Sequence, residues 1–398
     1  MTVNVSKSAF NIREKLSELD KPTGIKGTEL MRSETSQEVR DLIGSGRKNI
    51  IINGDFQIAQ RSTSNNTTGA QSTYHTLDRW MTQIQSGTIT ESQQSLSSSD
   101  SGPWQKGFRR YMRILNQSGI GAGAAQYAEI DQRVEAQDIA NSGWDYTSGS
   151  SYITLSFWIR ASVAQNYIVN MYANDGTTRH FPFEVALRAN TWTKVTKSIP
   201  GNSGITVSND NGNGITISFI ASYGTNYTSN SGYFDTWNTT GNGLNRWPDM
   251  ATKWATTTNA TFDITGVQLE VGSIATEFEH RPYAEELALC QRYYQQVVGY
   301  SDMVCVGPGR SNGTTNAPFS VPLSVPLRAS PTINSCNWAV FTPHVQANIN
   351  NHTPAVTKWD EHNNVLVLQI SGLSGMTNGR SLTVFLNSGH TLSMNAEL

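Results

Sequence analysis

The stretch Tyr152–Arg160 alternates between apolar and polar positions. Ile153, Leu155, Phe157 and Ile159 fall on one face, and Tyr152, Thr154, Ser156 and Trp158 on the other. That is the period of a half-buried strand. Weaker versions of the pattern occur at Asn49–Ile58, Asp78–Gln85, Arg109–Asn116 and Ala128–Glu135. They continue at Tyr167–Ala173, Trp192–Ile199, Gly214–Ala221 and Thr261–Val271. Short strands separated by Gly, Asn and Ser turns predict a jelly-roll β-sandwich. Two long stretches, Ser86–Lys106 and Tyr223–Ala260, read as loops.

The period then changes. From Tyr283 the larger residues recur at Tyr283, Leu287, Cys290, Tyr294 and Val297, in steps of four and three, the spacing of a coiled-coil seam. Pro282 suits the first helical position, Glu285 and Glu286 suit the dipole, and Gly299 suits the stop. A short helix follows the sandwich, and its five seam residues are candidates for a homotrimer interface. Beyond it, Asp302–Val306, Pro318–Leu327, Asn337–Phe341, Ala355–Trp359, Val365–Ile370, Ser381–Asn387 and Thr391–Leu398 predict further strands. Val365–Ile370 is apolar on both faces, so each face needs a cover.

Before residue 47 the pattern is helical. Ile12, Leu16 and Leu19 form one stripe; Val39 and Leu42 form another behind a Thr35/Glu38 capping box. Helices this short need a partner surface, which predicts an anchor that orders on a larger assembly. The expected fold is mainly β: a jelly-roll β-sandwich and a smaller C-terminal β-sandwich domain joined by a short helix, with an N-terminal α-helical anchor. The expected boundaries are 1–46 for the anchor, 47–281 for the sandwich, 282–299 for the linker helix and 300–398 for the C-terminal domain.

Composition narrows the function classes. A net charge of −2 with 15% charged residues argues against nucleic acid as a partner. Cys290, Cys305 and Cys336 are odd in number and unclustered, which fits a reducing compartment. No apolar run approaches a membrane span, and the N-terminal stretch lacks the apolar core of a secretion signal. A soluble product without membrane insertion is expected.

Catalytic patterns are missing. The seven histidines form no HExxH or other metal-ligand pair, and neither a GxSxG elbow nor a P-loop occurs. The expectation is a non-enzyme without metal or cofactor. Asp55, Asp78, Glu129, Asp131, Asp235, Asp263 and Glu270 could supply the paired carboxylates of glycoside hydrolysis, but spacing alone brings no two together. The loops carry more. Trp237, Asn238, Arg246, Trp247 and Trp254 lie close in one, and Trp104 in the other. Flat aromatic rings flanked by amides suit the apolar faces and polar rims of sugars. These residues are the glycan-binding candidates; the same aromatics would equally anchor their own loops or pack on a neighbouring subunit.

Several longer stretches resemble fibre-type virion appendage proteins of tailed phages, especially marine cyanobacterial phages. They are NGDFQIAQR, LDRW at Leu77–Trp80, TLSFWIRAS at Thr154–Ser162, TWTKVTKSIPG at Thr191–Gly201 and TGVQLEVGSIATEFEHRPYAEELALCQRYYQ. The leader AFNIREKLSEL and the later PLRASPTI are similar to parts of such proteins. The sandwich also resembles, more distantly, jelly-roll carbohydrate-binding modules; the Asp–Asp pair that helps hold their structural calcium is missing at Asp263–Gly266. The resemblance implies a virion protein assembled in the host cytoplasm, usually threefold. It would dock on other virion proteins through residues 1–46 and contact host surface glycans. Alternatives are a purely architectural capsid, neck or tail component and, third, a polysaccharide depolymerase.

Overall fold

The alternation of Tyr152–Arg160 is repeated on both walls of a two-sheet sandwich. In this computed structural model the described residues are 48–229, 233–239, 247–300, 303–342, 346–360 and 364–398. Residues 49–398 form one compact unit. The anchor candidates Ile12, Leu16, Leu19, Val39 and Leu42 lie outside the described residues.

The first half of the sandwich contains β1 (Ser64–Thr68), β2 (Gln71–Thr73), β3 (Met81–Ile84), β4 (Thr88–Ser95), β5 (Arg110–Asn116), β6 (Tyr127–Glu135) and helix α1 (Ala136–Ala140). The second half adds β7 (Tyr152–Ala161), β8 (Gln165–Ala173), β9 (Arg179–Leu187), β10 (Thr193–Pro200) and β11 (Asn213–Tyr223). Two short strands, β12 (Thr228–Ser229) and β13 (Trp247–Pro248), precede α2 (Lys253–Thr256) and the long β14 (Ala260–Val271). One sheet runs β1-β4-β5-β14-β7-β10 and the other β2-β3-β6-β11-β8-β9. These are the two layers of the jelly roll. Phe157, Phe219, Trp80, Tyr167 and Phe262 fill the space between them. The Ser86–Lys106 stretch, expected as a loop, contains β4; its Thr, Gln and Ser content hid a strand whose outward face is polar.

The motif-bearing stretches build the closure of this sandwich. Residues 49–58, expected as a strand, instead form an irregular turn with positive φ at Asn53 and Phe56. Asn49 replaces ladder bonds with its side chain: Nδ2 donates to Val267 O (3.2 Å) and Oδ1 accepts from Leu269 N (3.0 Å). Gly54 is required here, because a Cβ would stand 2.1 Å from Val267 O. The guanidinium of Arg281 then gathers the segment. It donates to the carbonyl oxygens of Ile51 (3.1 Å) and Asn49 and pairs with Glu279 and Glu286. Glu279 in turn accepts from Asn49 N, and Glu286 from Asn53 N. One buried cation thus ties the first segment of the domain to its last.

The linker departs from the seam pattern. Helix α3 covers only Tyr283–Gln291, and Tyr294 and Val297 lie on β15 (Tyr294–Val298). Tyr283 is 58% exposed, whereas Cys290 is buried in cis against Ile52, Ile58 and Tyr293, with Leu287 beside them. The five seam residues therefore do not line one helical face, and the coiled-coil interface drawn from them is corrected. The aromatic and β-branched run Tyr293–Val298 favours a strand, and pairing with a distant strand overrides the heptad spacing.

Ten further segments follow: β16 (Met303–Arg310), β17 (Ala317–Pro322), β18 (Thr332–Ile333), β19 (Cys336–Phe341), β20 (Gln346–His352), β21 (Ala355–Asp360), β22 (Val365–Ile370), β23 (Ser381–Asn387) and β24 (Thr391–Asn395) complete the set with β15. They make a seven-stranded sheet, β20-β19-β23-β16-β17-β22-β21, and a three-stranded sheet, β15-β24-β18. Phe319, Trp338, Leu368 and Val384 from the first share a core with Leu392 and Met394 from the second.

One core position has a pH consequence. Glu91 on β4 is fully buried, and burial pushes its carboxyl from 4.5 up to about 7, with Thr82, Thr76 and Arg61 pulling back only partly. The folded state therefore keeps a proton that the unfolded chain releases above 4.5. Stability is full below that pH and falls as pH rises toward 7, by about 3 kcal/mol from this group. Urea unfolding at pH 5 and pH 8 should show this fall in the wild type and a smaller one in Glu91→Gln. A variant less stable than wild type at pH 8 would contradict the assignment.

Candidate functional site

Strand parity on the β2-β3-β6-β11-β8-β9 sheet sends one set of residues into the core and the other outward. On β6, Ala128, Ile130 and Val134 point in, so Tyr127, Glu129, Asp131 and Arg133 face out. On β11 the outward set includes Thr216, Ser218 and Ile220, and on β8 it includes Ile168, Asn170 and Tyr172. The outward residues form a cleft of about 280 Å³, lined by Gln83, Glu129, Asp131 and Arg133 with Tyr127, Tyr172, Tyr223 and Tyr227. Asn174, Asn213 and Thr216 close its far end.

Three tyrosines make one wall. Tyr127 and Tyr223 stack at 5.5 Å with an interplanar angle of 15°, and Tyr227 stands edge-on to both at 5.5 and 5.2 Å. Tyr223 donates its hydroxyl to Glu129 Oε1 at 2.8 Å, and proximity to that carboxylate together with burial pushes the phenol pKa up, burial being the larger cause. Opposite them, Tyr172 meets the His180 ring edge-on at 4.7 Å.

From Asp131 in the lining, a buried polar row crosses the sheet. Asp131 on β6 pairs with Ser218 on β11, and Ser218 with Asn170 on β8. All three are buried. Asp131 Oδ2 accepts from Gln83 Nε2, the Ser218 hydroxyl across the strand pair also bonds this carboxyl, and the amide atoms of Asn170 have no protein partner among the described residues. Burial raises the Asp131 carboxyl to about 6, against the pull of Ser218, Gln83 and Arg133.

The loop residues expected to bind sugar do not gather here. Trp254 is 0% exposed, accepts its neighbours into the sandwich core and has its backbone N bonded to Gln165 Oε1 at 3.0 Å. It is a core residue, and the glycan-platform assignment is corrected. Trp237 packs edge-on against Phe181 at 5.4 Å and donates Nε1 to Pro200 O at 2.6 Å. Asn238 makes a backbone bridge to His180. Trp104 packs beside Phe108 and Tyr111 under the other sheet's loop, with the Arg109 guanidinium 3.8 Å over its ring. Arg246 lies outside the described residues, as does the side chain of Trp247. Loop aromatics here mostly hold their loops down.

Of the seven acids singled out, only Glu129 and Asp131 share a site. Asp263 is held by Arg113 and Arg160, Glu270 by Thr276, and Asp78 by Arg61. Among the described residues no group of three or more His, Cys, Asp or Glu is placed to hold a metal, and no helix is long and apolar enough to cross a membrane. The cleft tyrosines on β6, β8 and β11 escaped attention because each looked like an ordinary outward strand residue. Their shared face becomes visible only once the strand order is known.

No family model matches the sequence, and no curated protein matches it. Solved structures share the sandwich at low identity. A family 11 carbohydrate-binding module from Clostridium thermocellum, in complex with a β-1,3-1,4-mixed-linked tetrasaccharide, is 12% identical and covers 53% of this chain and 99% of its own, at a TM-score of 0.26. TmCBM61, in complex with β-1,4-galactotriose, is 10% identical over 57% of this chain and 100% of its own, at 0.26. An apo-form cyclase from Fischerella sp. is 12% identical over 58% and 100%, at 0.31. Likenesses at this level assign neither ligand nor activity to the present chain.

Proposed function

We propose that this chain is a glycan-binding protein that lays a carbohydrate segment in the cleft over β3, β6, β11 and β8. The observation that carries the reading is a three-tyrosine wall on a cleft that also presents Gln83, Glu129, Asp131 and Arg133. Aromatic rings bury the apolar face of a sugar, and sugar hydroxyls both donate and accept, which suits a lining of amide, carboxyl and guanidinium groups. The volume is at the small end of ligand sites, about 300–1,000 Å³, so a short stretch of a longer chain fits. Glycan-array binding by the wild type, with at least a tenfold loss in Tyr227→Ala, is the expected result. Equal binding by the variant would move the site elsewhere. Binding without cleavage is expected, so a bound polysaccharide should keep its chain length.

Within that reading the chain is a fibre-type appendage of a tailed-phage particle, threefold, attached by residues 1–46 and located in the virion. The support for this is the resemblance of the long motif around Arg281 to such proteins. Deleting residues 1–46 should abolish incorporation into particles while leaving the melting of the remainder unchanged. A purely architectural role is the second reading, favoured by the inward packing of Trp237 and Trp254; a chain that enters particles yet binds no glycan would establish it.

A further inference from the structure

In the seven-stranded sheet, Val384 and Leu386 of β23, Trp338 of β19 and Leu368 of β22 point into the second core. Parity then turns Phe341, Phe385, Met303, Pro308, Val365 and Val367 outward. Phe341 and Phe385 meet edge-on at 5.1 Å. Cys305 lies opposite Phe385 and is exposed, and Met303 is 42% exposed. An outward face of an antiparallel sheet is normally polar. The sandwich obeys this: Arg113, Asp263 and Arg160 stand side by side on β5, β14 and β7. Strands β19, β23, β16, β17 and β22 contain a single charged residue, Arg310, at the last position of β16. Charge returns at the edge of the sheet, where β21 sets Lys358 and Asp360 opposite Val367 and Val365.

Resting on the threefold reading, we propose that copies of this chain meet through this outward face, with Phe385 and Cys305 near its centre. An apolar middle with charge confined to the margin is the anatomy of a protein interface. The lack of charge also favours a second copy over an unlike partner. Around a rotation axis each residue approaches its own counterpart, so a charge near the axis would meet its like. Neutral side chains avoid that, whereas an unlike partner is normally steered by opposite charge.

The size agrees. Five strands at a spacing of about 4.8 Å, each at least six residues long at about 3.3 Å per residue, give a face of roughly 24 by 20 Å. Two copies would cover about 1,000 Å² from the flat area alone, where specific interfaces begin, and side chains standing off the sheet add to it.

The chain carries its own probe. Cys290 and Cys336 are buried, so a folded monomer offers one fast thiol, that of Cys305. The test takes the full chain at micromolar concentration, weighs it by light scattering and times its reaction with a thiol reagent. Expected for the wild type are the mass of three chains and a Cys305 at least tenfold slower than a small free thiol. Phe385→Glu, and Val367→Glu on a separate strand, should give monomers in which Cys305 reacts at the free rate. Should one variant fail to fold, the other and the wild-type thiol rate still decide. A wild type that assembles with Cys305 at the free rate, or folded variants that keep the wild-type mass, would overturn the inference and leave the threefold reading standing. Two copies with Cys305 protected would uphold the inference and overturn the threefold reading. A monomeric wild type overturns both.

Discussion

Replacing Arg281 by alanine should destabilise the chain by about 5 kcal/mol, the largest single effect expected of any side chain here. Three losses combine. Glu286, 6% exposed and already raised in pKa by burial, loses the cation that opposes that rise. Removing one partner of a buried ion pair costs about 3–5 kcal/mol by itself. The carbonyl oxygens of Ile51 and Asn49 lose their donors as well, and unmet buried acceptors cost about 1–3 kcal/mol each. Typical domains have only about 5–15 kcal/mol to lose, so the alanine variant should be marginal at 25 °C. Arg281→Lys keeps the charge but cannot fork between two carbonyls and two carboxylates, and should recover part of the stability. Urea unfolding of both variants decides the matter: an alanine variant within about 1 kcal/mol of wild type would show that the first segment closes without the cation.

Phe157 and its neighbours were legible as a buried strand face because alternation follows directly from strand geometry. The strands around the second core, such as Val365–Ile370 and Ser381–Asn387, were legible for the same reason. Helix α3 was over-extended because a run of fours and threes at Tyr283–Val297 also fits a helix that stops at Gln291 and a strand that begins at Tyr294. Pairing of β15 with β24, about a hundred residues onward, decides between them, and no local pattern contains it. Trp254 failed as a sugar platform for a related reason. A tryptophan in a polar loop looks exposed until α2 folds it between the sheets beside Asn116, whose amide caps Trp254 O at 3.0 Å. The cleft required the order β3-β6-β11-β8, which places Tyr127 beside Tyr223 although they are far apart in sequence.

Glu397→Ala is expected to loosen the C-terminal domain from the sandwich and to cost about 4 kcal/mol. Glu397 pairs through Oε2 with Arg79 and through Oε1 with Arg61 at 3.1 Å. Arg79 is 1% exposed, with its guanidinium stacked 3.5 Å over the ring of Tyr293. Without Glu397 it keeps a contact to Arg133 O but no countercharge. Arg61 retains Asp78 at 3.4 Å, so the loss falls mainly on Arg79. The Arg292–Glu135 pair, bidentate at 2.9 Å, remains on the other side of the junction and limits the opening. Unfolding of the variant should therefore separate into two transitions, with the C-terminal sheets melting first and tryptic cleavage appearing near Arg292. The double variant Arg79→Met, Glu397→Leu removes both charges together and should recover most of the loss, since an apolar pair of similar volume avoids desolvating ions. A double-mutant cycle gives the coupling directly: about 3 kcal/mol is expected, and a value under about 0.5 kcal/mol would mean that the Arg292–Glu135 pair and the other side-chain contacts hold the junction without this one.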